Sequence, residues 1–168
     1  MEARRGGLIG EAIKQAKQGR KLTLSYLQGL TPEQLLWRPS ADANPIQWLL
    51  WHLGEVEESV VWAAQGQPAR WHFGQSALKA RGLQQSLPGH ADVLAYLDDV
   101  RARYLGWLQG VPDDELGRTV GEGVWQGTIG GLIFLSPRHE SYHCGQVSYI
   151  RRLMGAPVPD GNERNPYQ

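Results

Sequence analysis

The chain has 168 residues, 41% of them hydrophobic, with 17 basic side chains balanced by 17 acidic ones. That length suits one domain over residues 1–168 with one sizeable core, and charge without blocks of either sign argues against nucleic acid or an anionic membrane as partner. The only cysteine, Cys144, excludes an internal disulfide framework and fits a cytoplasmic setting; the N-terminus turns charged before a signal core develops, and no apolar run approaches the ~18 residues of a membrane span.

Leu8, Ile9, Ala12, Ile13, Ala16, Thr23, Tyr26, Leu27 and Leu30 follow the i, i+3, i+4 repeat of an amphipathic helix, so helix one is expected from about residue 6 to 29. Thr31 and Gln34 frame a capping box with Pro32 at the first helical position, which predicts a short turn before the loop at 37–44. Asn44 is expected to cap helix two, with Pro45 in its first turn. Ile46, Leu49, Leu53, Val56 and Val60 form its stripe until Gly66 and Pro68 stop it. The connection that follows, residues 66–89, is long enough to cross the ~30 Å length of a 20-residue helix, so helices two and three can lie parallel.

Helix three is expected from 90 to 109, on the spacing of Val93, Leu94, Leu97, Val100, Tyr104, Leu105 and Leu108. Residues 118–127 are glycine-rich and read as irregular. Helix four should run from Thr128 to Met154, before a tail with Pro157, Pro159 and Gly161. Pro137 interrupts it, predicting either a kink or a restart with Ser136 as cap. With no comparable strand pattern and no internal repeat, the fold class is all-α, a four-helix bundle with a long crossover between helices two and three.

The chemistry concentrates in His139-Glu140-Ser141-Tyr142-His143, an H-E-x-x-H stretch. Histidines at i and i+4 stack on one helix face and can reach one cation at about 2.0–2.1 Å. Ile129, Leu132, Ser136, His139, His143, Gln146, Ile150 and Leu153 share roughly one face, so both imidazoles point toward the core, where their ring nitrogens need partners. His52 lies between Leu49 and Val56 and also faces inward. The three together make the protein part of an open site for zinc or a similar transition ion, although His52 alone reads as an ordinary core histidine.

Glu55, one turn beyond His52, can orient a ligand, add a fourth, or point to water. His72 in the Trp71-His72-Phe73 loop and His90 at the start of helix three read as ordinary surface histidines. Cys144 is rotated about 100° from the histidine line and reads as a buried, inert thiol. Trp37, Trp48, Trp51 and Trp62 read as core or interface. H-E-x-x-H also matches a zinc-protease signature with Glu140 as base. Its known completions are missing: Gln146 and Tyr149 stand where one protease class has Gly and His, Glu163 lies in the tail, and no substrate strand is evident.

The I-Q-W-L-L-W-H-L segment of helix two and the H-E-x-Y-H-x-G-Q-V-x-Y-I-R-R-L run of the last helix resemble the DinB-like family of metal-binding four-helix bundles. So do L-T-P-E-Q-L-L-W-R-P and L-A-Y-L-D-D-V-R-A-R-Y, in order and spacing. The resemblance implies a metal triad of His52, His139 and His143, a bound nickel, zinc or manganese, and often a homodimer. It implies small-molecule chemistry: transfer that uses a low-molecular-weight thiol such as mycothiol or bacillithiol, or metal-dependent hydrolysis with Glu140 or Glu55 as base. A noncatalytic stress or sensor bundle is the reading from another class.

Overall fold

The computed structural model describes residues 6–80 and 87–156; the expected tail at 157–168 and part of the crossover lie outside them. The elements are α1 (Gly7–Ser25), α2 (Pro32–Leu36), α3 (Ile46–Gln65), a 3-10 turn (Ala77–Ala80), α4 (His90–Gly110), a pair of two-residue strands β1 (Thr119–Val120) and β2 (Gly127–Thr128), α5 (Ile129–Leu132) and α6 (Leu135–Leu153). The protein is all-α apart from that antiparallel pair. No helix among the described residues is long and apolar enough to cross a membrane.

The contacts between helices give their directions. Gln47 meets Pro88 and His90, Gly54 meets Tyr96, and Glu57 meets Arg101, so α3 and α4 run parallel, as the long crossover allows. Gly19 and Arg20 meet Glu140 while Tyr26 meets Arg151, so α1 and α6 are parallel as well. The two pairs oppose each other: Glu57 reaches Ser136 while His52 reaches His143, and Arg20 reaches Leu97 while Ala16 reaches Arg101. The topology is up-down-down-up. Gly54 permits the close approach of α3 and α4, because a Cβ there would stand 2.5 Å from the Tyr96 ring.

Thr31 and Gln34 form the expected capping box on α2. Three local expectations are corrected. Asn44 does not cap α3; Pro45 occupies the N-cap position, without a side-chain bond. The break expected at Pro137 falls a few residues earlier, between α5, capped by the Thr128 hydroxyl, and α6, which restarts after Phe134. Ser136 is not the cap of that restart; its hydroxyl donates to Glu57 at 3.0 Å. Pro137 falls in the first turn of α6, where an amide would have no helical partner. Proline cannot donate to the Ile133 carbonyl, and the Tyr104 hydroxyl takes that acceptor instead at 2.6 Å. The glycine-rich stretch is also less irregular than expected. Gly121, at φ +73°, makes room for the Trp125 carbonyl, which a Cβ would approach to 2.3 Å, and so closes the β1–β2 turn.

The apolar interior falls into two clusters. One gathers Trp48, Leu50, Trp51, Val93, Tyr96, Leu97, Val147 and Ile150; the other gathers Ile9, Ala12, Val60, Tyr104, Leu108, Ile129 and Ile133. Between them lie four buried charges, one from each long helix. Arg20 donates to Glu140 at 2.7 Å and to Glu57 at 3.1 Å, and Arg101 pairs with Glu57 at 2.9 Å and with Glu140. The leftover guanidinium donors reach the Leu97 carbonyl at 2.9 Å and the Ala16 carbonyl. Two arginines against two glutamates leave this waist neutral.

Candidate metal centre

His52 comes from the second turn of α3, and His139 and His143 from consecutive turns of α6. Because α3 and α6 are antiparallel neighbours, the three rings meet with centroids 4.3, 4.8 and 5.1 Å apart. One nitrogen from each ring lies within 4.8 Å of the others, so the cluster can hold a metal ion. The Nε2 atoms of His139 and His143 are 3.0 Å apart. Two bonds of ~2.05 Å at a tetrahedral angle would separate their nitrogens by about 3.3 Å, so the donor set fits one ion with small adjustment.

The surroundings fix both orientation and protonation. Trp48 stacks on His52 at 4.8 Å and 22°. His143 Nδ1–H donates to Gln146 Oε1 at 2.6 Å, which turns Nε2 toward the other rings. Burial, and then the neighbouring His143, push His139 down to about 4; burial also lowers His143, against the Gln146 bond. Both rings are therefore neutral donors at neutral pH.

The buried face of α6 is centred on Glu140, His143, Cys144 and Val147. It is rotated from the stripe expected from sequence, and Leu153, assigned to that stripe, is 48% exposed. The histidines thus sit at the edge of the core, where His52 and His143 line an open cleft of about 680 Å³ whose wall includes Asp42, Asn44, Trp48, Leu78, Tyr142 and Tyr149. Gln146 lines it as well. Asp42 lies in a loop with no periodicity, so nothing in the sequence marked it, and Asn44 was marked only as a helix cap.

The two candidate bases are committed elsewhere. Both carboxylate oxygens of Glu140 accept from Arg20 and Arg101 in the waist. Glu55 is buried, not exposed, and accepts from the Ala77 amide at 2.8 Å and the Ser76 hydroxyl at 3.2 Å. With Trp48 Nε1 donating to Ala77 O at 2.8 Å, it ties the crossover to α3 beside His52.

Burial outweighs these two bonds and pushes Glu55 up to about 7 from an ordinary 4.5. The folded protein then keeps a proton that the unfolded chain releases, so this group's contribution to stability falls as pH rises from 4.5 to 7. Denaturation of wild type and Glu55→Gln across that window should show the wild type losing stability relative to the variant as pH rises. Parallel pH slopes would mean that the carboxyl is ionised throughout.

The remaining histidines stand apart. His72 stacks on Tyr96 at 4.7 Å, and His90 is half-buried with Nδ1 3.1 Å from Gln47 Oε1, correcting its expected exposure. Cys144 is buried, and burial pushes its thiol up to about 11, in keeping with an inert thiol. Trp48, Trp51 and Trp62 are core residues.

No curated protein matches the chain. Its fold is similar to the crystal structure of a conserved protein from Enterococcus faecalis, with a TM-score of 0.74 and 14% identity over 90% of this chain and 99% of that one. At that identity the likeness concerns the fold alone. The DinB superfamily model matches residues 15–147, from α1 through the second histidine of α6, and the chain belongs to that superfamily.

Proposed function

We propose that His52, His139 and His143 hold one divalent ion, nickel or zinc before manganese, and that the protein catalyses transfer of a low-molecular-weight thiol onto a small electrophile in the adjoining cleft. The donor set carries this reading: three imidazoles within ligand distance of one another, and an opening on one side. An ion held there supplies Lewis acidity that lowers the pKa of an entering thiol, so that sulfur reacts as thiolate near neutral pH. The chain's own part is placement. Trp48 and Gln146 hold two of the rings in orientation, and Trp48, Leu49 and Ile150 give the cleft an apolar floor that limits water.

Hydrolysis assisted by a neighbouring carboxylate finds less support. Glu140 is consumed by two arginines, and Glu55 by the crossover. The test is to titrate cobalt-substituted protein with cellular thiols and follow its absorption. A sulfur-to-cobalt charge-transfer band is expected. Cobalt uptake without any thiol-dependent change would end the transfer reading.

A further inference from the structure

Each of the three rings needs its plane fixed before one ion can meet them all, because the last imidazole torsion is broad and weakly set by the backbone. His143 is fixed by the Gln146 side chain, which occupies one of its nitrogens. His52 is held in another way. The Trp48 indole lies flat against it, at 4.8 Å and 22°, so its plane is set while neither nitrogen is spent on that contact. Trp48 is held in turn, since its Nε1 donates to the Ala77 carbonyl at 2.8 Å.

Ala77 belongs to the crossover, a connection long enough to take many paths. Glu55 anchors it. Both of its carboxylate oxygens stand 2.8 Å from the Ala77 amide, which donates to them, and the Ser76 hydroxyl donates to Oε2 at 3.2 Å. Ala77 is thus gripped by its N–H and by its C=O, from two side chains of the same helix. Trp48 stands one turn before His52 and Glu55 one turn after it, so the crossover forms a buckle across α3 with the ligand histidine between its two pins. Trp48, Glu55, Ser76 and Ala77 are all buried, so a bond lost here is not replaced by one to water.

We infer that Glu55 is a positioning residue of the metal centre: through Ala77 and Trp48 it sets the ring plane of His52, and with it the affinity and geometry of the ion. This rests on the proposed centre for what the ring ligates. The carboxylate acts by holding, not by its charge. A carboxamide offers the Ala77 amide the same carbonyl acceptor and a methyl group offers none, so Gln and Ala at this position separate holding from electrostatic attraction to the ion.

The test compares wild type with Glu55→Ala, Glu55→Gln, Trp48→Phe and, as a control for lost packing, Leu108→Ala in the other apolar cluster. Chelator competition reads the zinc affinity, and the ligand-field spectrum reads the geometry of the cobalt protein. In the metal-free protein, NMR follows the His52 ring protons, which the Trp48 face shields. Glu55→Ala and Trp48→Phe should each weaken zinc binding by on the order of tenfold and alter the cobalt spectrum. Glu55→Ala should also shift the His52 ring protons downfield as the stack loosens. Glu55→Gln should stay close to wild type in all three measurements, and Leu108→Ala should bind zinc normally although it is less stable. Trp48→Phe keeps an aromatic ring against His52 without the N–H, so it carries the test even if Glu55→Ala does not fold.

Wild-type zinc affinity in Glu55→Ala or Trp48→Phe, an unmoved His52 ring, or a loss in Glu55→Gln as large as in Glu55→Ala would overturn the inference. An equal loss in Leu108→Ala would overturn it too, since any destabilisation would then suffice. The proposed centre fails separately. If the wild type takes up neither zinc nor cobalt while the His52 ring protons still respond to Glu55→Ala, the hold on His52 stands and the metal centre does not.

Discussion

Replacing Glu140 by Gln or Ala should destabilise the protein by about 3–5 kcal/mol, the usual cost of removing one partner from a buried ion pair. Its carboxylate is 2% exposed and answers both Arg20 and Arg101. Without it, two guanidinium groups share Glu57 alone in a region that water does not reach. Burial works against the Arg20 charge, but Glu140 and Glu57 overcome that effect and hold its pKa above the ordinary value. Removing either carboxylate therefore strands a cation. Denaturant unfolding measures the loss. The double variant Arg20→Met, Glu140→Leu should recover part of it, because an apolar pair of similar volume avoids the unpaired charge. If Glu140→Gln keeps wild-type stability but loses activity, Glu140 is a catalytic base after all, and the structural role assigned to it is wrong.

His143→Ala and His139→Ala should each weaken metal binding by on the order of 10²–10³-fold. A site worth ~10–16 kcal/mol shared among about four ligands loses roughly 3–4 kcal/mol with each one. His52→Ala should behave alike, since its ring stands within 5.1 Å of both others. Competition with a chromogenic chelator reads the affinity, and circular dichroism of the metal-free variants checks the fold. His72→Ala and His90→Ala are the controls, and both should bind metal as the wild type does. Full metal content in the His139 and His143 variants would remove the basis for the proposed centre.

The elements that sequence disclosed were those with strong periodicity or explicit punctuation. The stripe of α4, the capping box before α2 and the stop at Gly66 each rest on local chemistry. The parallel arrangement of α3 and α4 could be inferred as allowed, because it follows from the length of the connection alone. The three histidines were legible because i, i+4 spacing and an inward position are properties of single helices. The charged waist was not recognised, although its trace is present: Arg20 fills the gap between Ala16 and Thr23 in the stripe of α1, and Glu57 stands one turn after Leu53. A charge on an apolar stripe has meaning only once its partner on another helix is known. Glu55 was ambiguous for the same reason, since its partner is a backbone amide of the crossover.

The parallel pairing of α3 with α4 bears on how fast this chain can fold. In a bundle of successive helical hairpins, each helix packs on the preceding one after a short loop closes, and the contacts are local. Here α4 can dock on α3 only after the whole crossover has been spanned, and α6 must return to α1 and α3 across most of the sequence, as Arg20 with Glu140 and Ser136 with Glu57 do. Loop-closure entropy is spent before those contacts repay it. The same winding that brings three histidines together thus raises the contact order and slows folding relative to simpler helical bundles.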